Sequence, residues 1–192
     1  GVPTDLEVVN QMREMGIPIW GEIELAYELG RGKVIGITGT NGKTTTTSLV
    51  GEIMAAHCKD VDVVGNIGNP YTLTALDATE ETVTVAEISS FQLETIEQFC
   101  PDVSAILNIT PDHLNRHHTM ENYAAAKEAI TKNQTKEQTC VLNYENEYTR
   151  TFGDRCPAKV VWFSSARKLE NGFYQEGEEI YQAKDGVATR IM

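Results

Sequence analysis

The stretch Val34-Ile35-Gly36-Ile37-Thr38-Gly39-Thr40-Asn41-Gly42-Lys43-Thr44-Thr45-Thr46-Thr47 runs from apolar residues through a glycine turn to a lysine and a row of hydroxyls. The apolar part reads as a buried strand, and a helix is expected to begin near Lys43. Glycine at positions 39 and 42 lets the backbone approach an anion, and the first N–H groups of the helix turn toward it. Lys43 can reach outer phosphates, and Thr44 can place a hydroxyl on a divalent cation. The spacing is not the common G-x-x-x-x-G-K-[ST], because Ile37 stands where that pattern has its first glycine. A plain strand-to-helix turn would leave Thr44 to Thr47, poor helix formers, without a reason. Phosphate binding supplies one.

On either side of this loop the pattern alternates. Residues 1–30 read as an acidic helix around Asp5–Met15, a short strand Ile17–Trp20 and a helix Glu22–Leu29; Gly30-Arg31-Gly32 marks a domain junction. After strand Lys33–Thr38 come helix Lys43–His57, strands Val61–Val64 and Thr82–Glu87, helix Phe91–Phe99, strand Val103–Ile109, helix Met120–Asn133, and strands Thr139–Leu142 and Lys159–Phe163. This order predicts an α/β fold, a mainly parallel P-loop-type sheet with helices on both faces. Short alternating runs at Phe173–Gln175, Glu179–Gln182 and Val187–Ile191 predict a small antiparallel patch near the C-terminus.

The 192 residues suffice for one α/β domain with an appendage. A net charge of −12 argues against a nucleic-acid binder, so an anionic ligand must depend on a few local cations and on backbone N–H groups. No apolar run is long enough to span a membrane, and no signal peptide opens the sequence. Cys58, Cys100, Cys140 and Cys156 form no CxxC pair and read as reduced thiols of a cytoplasmic protein. Gly1-Val2-Pro3 and the stop at Met192 after a strand-like run read as the ends of a fragment.

Four predicted strands end in polar groups: the glycine loop, Asn66, Glu87-Ile88-Ser89-Ser90 and Asp112-His113. In an open parallel sheet those carboxyl ends share one edge, where ligands bind. Glu87 stands where a carboxylate can hold Mg²⁺ beside a triphosphate. His113, alone a cap or an exposed loop residue, becomes at that edge a metal ligand or substrate contact. His117 and His118 read as ordinary loop histidines, and His57 as a partner of a helix dipole. Met120, Tyr123, Lys127 and Ile130 share one helix face that should pack on the sheet. A desolvated lysine there would favour the neutral amine, which can add CO₂ to give an anionic carbamate. Periodicity by itself favours a snorkelling lysine with its head in water.

Together these motifs resemble the Mur ligases, ATP-dependent amide-forming enzymes of peptidoglycan precursor synthesis. The resemblance rests on Thr38–Thr44, Gly65-Asn66-Ile67-Gly68, Glu87-Ile88-Ser89-Ser90-Phe91-Gln92-Leu93-Glu94, Asn108–Leu114 and Tyr123–Lys127, and covers essentially the whole chain. Within the family it is closest to the ligases that add D-glutamate to UDP-N-acetylmuramoyl-L-alanine. It implies that Gly39, Thr40, Asn41, Gly42, Lys43, Thr44 and Thr45 bind ATP. It implies Mg²⁺ at Thr44 and Glu87, and a second Mg²⁺ at His113 and a carbamylated Lys127. Lys43, His113 and Lys127 would be catalytic, and Asn66 and Ser89 would contact the UDP-linked substrate. Residues 1–30 would be the tail of an N-terminal domain, and residues 31–192 a central ATP-binding domain lacking its last part. D-Glutamate would bind a C-terminal domain outside this chain. Asn115 departs from the family, which usually has Asp there; a neutral side chain beside Arg116 removes a local charge pair. A sister Mur enzyme or a folylpolyglutamate synthase would share the loop and Lys127 but not Ser-Ser-Phe-Gln-Leu-Glu. A GTPase-like switch would need an N-K-x-D motif, which does not occur.

Overall fold

The computed structural model describes residues 4–192. Its elements are α1 (Glu7–Glu14), α2 (Glu22–Leu29), β1 (Lys33–Thr38), α3 (Lys43–Ala55), β2 (Val61–Gly65), α4 (Tyr71–Ala75), β3 (Val83–Glu87), α5 (Ser90–Leu93), β4 (Val103–Ile106), α6 (Leu114–His117), α7 (Met120–Glu128), β5 (Thr139–Asn143), α8 (Glu147–Gly153), β6 (Lys159–Ser164), β7 (Gly172–Glu176), β8 (Glu179–Lys184) and β9 (Val187–Arg190). The strands form one sheet in the order β2-β3-β1-β4-β5-β6-β7-β8-β9. Pairings from β2 to β7 are parallel, and β7-β8-β9 are antiparallel. The expected antiparallel patch is therefore an extension of the main sheet, joined where Phe163 and Ser164 pair with Phe173 and Tyr174.

Alternation along the strands builds two cores. Val34, Val64, Ala86, Ile106 and Leu142 face the larger one, which also takes Ile23 and Ala26 of α2, Tyr71 of α4 and Phe152 of α8. Ile37, Val85 and Ala105 face the other side, where Val50 and Met54 of α3 pack. A Cβ at Gly51 would run into the Val63 side chain, so glycine sets how closely α3 lies on β2.

Several expected boundaries differ. Ile17–Trp20 forms no strand, and Pro18 there has no N–H to offer a ladder. Strand β4 stops at Ile106 because Leu107 and Asn108 turn onto the glycine loop, through bonds from Leu107 N to Thr38 O and from Thr40 N to Asn108 O. The helix expected over Met120–Asn133 ends at Glu128 and tightens into a 3-10 turn, Ala129–Thr131. The helix expected over Phe91–Phe99 is only Ser90–Leu93. The fully buried Glu24 carboxylate takes the backbone N–H groups of Glu97, Gln98 and Phe99 at 2.8, 2.6 and 3.1 Å. A continuing helix would need those donors for itself.

That three-pronged anchor makes a prediction. Charge-assisted bonds of this kind contribute more than neutral ones, and Gln offers one acceptor oxygen instead of two. Glu24→Gln is expected to cost about 3 kcal/mol of stability, read from urea unfolding. A loss below about 0.5 kcal/mol would show that the anchor is dispensable.

Candidate nucleotide and acid site

The glycine loop lies between β1 and α3 at the carboxyl edge of the sheet. Gly39 and Gly42 both have positive φ, 153° and 83°. A Cβ on Gly39 would sit 3.1 Å from the Leu107 Cβ, so both backbone angle and space require glycine there. Gly42 is the N-cap of α3, and no side chain caps the helix. The N–H groups of its first turn are left to a ligand. Asn108 braces the loop on both sides: its Oδ1 accepts from Asn41 N at 2.9 Å and its Nδ2 donates to Asn41 O at 3.0 Å. Lys43 Nζ folds back onto Gly39 O and Thr40 O at 3.0 and 2.9 Å, and it forms no ion pair among the described residues.

Glu87 ends β3 and is 1% exposed. Its Oε2 accepts from Thr44 Oγ1 at 2.7 Å and its Oε1 from Asn66 Nδ2 at 2.8 Å. No cationic side chain among the described residues pairs with it. A buried carboxylate held only by neutral donors, with a helix-terminal hydroxyl on one oxygen, suits a hard cation such as Mg²⁺. Gly65 permits the close turn that brings Asn66 here, since a Cβ at that position would overlap the Glu87 carbonyl.

Lys127 does not snorkel. It is 1% exposed, donates to Gly39 O at 2.8 Å and lies 4.6 Å over the Tyr123 ring. Burial, then the nearby Lys43 charge, push its pKa down to about 7, against the opposing pull of Asp112. Tyr123 joins the parts of this region. Its hydroxyl shares a hydrogen bond with Thr40 Oγ1 at 3.2 Å, and its ring meets His113 edge-on at 6.3 Å. Lys127 and His113 thus flank one aromatic ring. Among the described residues no three of His, Cys, Asp and Glu form a preformed metal cluster.

On the other side of Glu87 opens a cleft of about 660 Å³. Asn66, Ser89, Phe91, Trp20, Asn115 and Arg116 are among its walls. Ser89 caps α5 in a reciprocal box with Gln92: Ser89 N donates to Gln92 Oε1 at 2.9 Å, and Gln92 N to Ser89 Oγ at 3.3 Å. Arg116 pairs with Glu94 through Nε and Nη2, not with residue 115. Burial opposes it, but Arg116 and the Thr4 hydroxyl hold the Glu94 carboxyl below the usual carboxylate range.

His117 corrects the expectation of an ordinary loop histidine. It is buried, its Nε2 lies 2.9 Å from Ser90 Oγ, and burial holds the imidazole below its usual pKa. Asn108, Tyr123 and His117 were the residues that sequence reading missed. Asn108 follows β4 at the ligand edge, a position that signals it, whereas helix periodicity gives Tyr123 only a packing role.

The Mur ligase middle domain family matches residues 37–192. The chain is 63% identical over 183 residues to the UDP-N-acetylmuramoylalanine--D-glutamate ligase of Lachnoclostridium phytofermentans, covering 95% of this chain and 40% of that protein. It is 55% identical over 181 residues to the enzyme of the same name from Clostridioides difficile, covering 94% and 40%. The fold resembles that of the MurF ligase from Thermotoga maritima in complex with ADP, at a TM-score of 0.64 and 22% identity, over 88% of this chain and 43% of that one. The chain therefore spans about 40% of the length of the curated relatives it matches.

Proposed function

We propose a function from one premise: this chain belongs to the Mur ligase family through its middle domain. The protein of which it is part is an ATP-dependent ligase that joins D-glutamate to UDP-N-acetylmuramoyl-L-alanine in the cytoplasm. The supporting observation is the placement of Glu87, whose two oxygens meet Thr44 on the nucleotide side and Asn66 on the cleft side. A nucleotide on the loop and an acid in the cleft would then be neighbours. Residues 31–192 act as the central ATP-binding domain. Residues 1–30 close a preceding domain and its connection, with α2 docked on the central core through Ile23 and Ala26.

In this reading the uncapped turn of α3 and Lys43 hold the β- and γ-phosphates. Asn66 and Ser89 orient the muramoyl-alanine carboxylate. A carboxylate oxygen attacks the γ-phosphorus, and ADP leaves. The D-glutamate amine then attacks the acyl-phosphate carbon, loses a proton, and inorganic phosphate departs. Two anions must meet, so positive charge governs the barrier. Mg²⁺ at Thr44 and Glu87, and a second ion at His113 and carbamylated Lys127, would neutralise the phosphoryl oxygens. Lys43 supplies the chain's own positive charge, and Tyr123 holds Lys127 and Thr40 in fixed relation.

The full-length protein should release ADP only when ATP, UDP-N-acetylmuramoyl-L-alanine and D-glutamate are all present. Equal turnover with another amino acid in place of D-glutamate would reassign it to a sister ligase. The isolated 192-residue chain is expected to bind ATP·Mg²⁺ weakly, measured by calorimetry, and to form no amide bond. D-Glutamate-dependent ADP release by that chain would overturn the domain assignment.

A further inference from the structure

Helix α6 is four residues long, and the residues at both of its ends have positive φ. His113, its N-cap, has φ 52°, and His118, its C-cap, has φ 67°. Non-glycine residues held this way cost free energy and persist only where surrounding contacts over-determine them. The contacts here converge on His117. Its Nε2 lies 2.9 Å from Ser90 Oγ in a buried hydrogen bond. Its ring stacks on Phe91 at 5.5 Å with planes 13° apart, and it lies 5.1 Å from Tyr123. Its carbonyl accepts from Asn122 Nδ2 at 3.0 Å. Phe91 in turn touches His113, with ring centroids 5.0 Å apart.

One buried imidazole thus joins α5, which begins beside the cleft residue Ser89, to the strained turn that presents His113 and to α7, which carries Lys127. We propose that His117, through Ser90, is a positioning residue that locks the His113 turn against the acid-binding side of the site. Its catalytic consequence rests on the ligase reading above; the locking itself does not. His117 is buried and is not among the residues that line the cleft, so its effect falls on alignment. A misplacement of the reacting groups by a fraction of an ångström lowers kcat and leaves ATP binding nearly intact.

The test uses the full-length protein with Ser90→Ala, His117→Phe, which keeps a stacking ring but not the hydrogen bond, and the double variant. His117→Gln, which can still bond Ser90, is the conservative control. In both single variants, amide exchange at Arg116, His117 and His118 should accelerate at least tenfold, since these N–H groups bond back to His113 O and Leu114 O. kcat should fall about tenfold to a hundredfold, as for groups that orient a first ligand shell, with KM for ATP within about twofold. His117→Gln should recover most of the loss, and the double variant should be no worse than the poorer single one. Unchanged exchange in the 113–118 segment would overturn the lock. Faster exchange with kcat unchanged, or equal losses in His117→Gln and His117→Phe, would overturn its catalytic consequence. A wild-type protein without ligase turnover would instead refute the functional reading, and the exchange result would still decide the lock.

Discussion

Replacing Lys43 by alanine in the full-length protein is expected to remove ligase turnover by on the order of a thousandfold while the fold survives. The magnitude follows from the charge problem: a carboxylate must approach a triphosphate, and Lys43 is the cation of the glycine loop. The survival follows from what holds the loop. Gly39 and Gly42 set its backbone, and Asn108 braces Asn41 through two bonds. Lys43 contributes only bonds to Gly39 O and Thr40 O on a half-buried surface, worth about 1 kcal/mol each at most. Circular dichroism should be unchanged, while steady-state ADP release disappears. A variant within tenfold of wild type would remove Lys43 from the phosphate-binding role, and a globally unfolded one would make it structural.

Lys127 is expected to show an equally large effect on activity and an opposite one on stability. Its folded pKa lies at about 7 against an ordinary 10.5, because burial and then Lys43 disfavour the ammonium. The unfolded chain binds more protons between those values, so stability rises with pH across that window. The cost of burying the cation is complete below about pH 7 and gone above about 10.5. Lys127→Met should therefore stabilise the protein by about 3–5 kcal/mol near pH 6, a gain that fades toward pH 10; thermal or urea melts across this range would read it. A flat pH dependence of the difference would refute the depressed pKa.

The same neutral amine is what carbamylation needs. Nitrogen attacks the carbon of CO₂ and loses a proton, and the product keeps one N–H for Gly39 O while presenting two oxygens that share a single negative charge. Lys127→Ala in the full-length ligase should cut turnover by on the order of a thousandfold, with partial recovery in acetate or another short carboxylate. Lys127→Arg should not recover, since a guanidinium keeps its charge and forms no carbamate. Full activity in Lys127→Arg would rule the carbamate out.

The glycine loop could be read directly, because its requirements are local: positive φ at two positions, a helix start, and a cation one residue inside it. The order of strands and helices could be read for the same reason, since side-chain periods of two and 3.6 are properties of short segments. Placing Asn66, Glu87 and His113 on one edge needed only the rule that parallel strands share a direction. The family resemblance then joined these pieces into one reaction.

Depth and long-range capture were not written locally. Periodicity placed Lys127 on the sheet-facing side of α7, yet a helix face does not say whether a flexible side chain reaches water; the carbonyl of Gly39, 88 residues earlier, decided that it does not. The segment 91–99 has helical character, but Glu24, more than seventy residues away, claims the N–H groups a longer helix would use. His117 looked like a loop histidine until Ser90 and Phe91 closed around it. The amino-acid sequence by itself determined the order of strands and helices, the loop and the residue types that follow each strand, because each depends on neighbours along the chain. Only the tertiary structure decided which charges are dry, which donors are taken and which residues touch, because those depend on groups that the chain separates and the fold brings together.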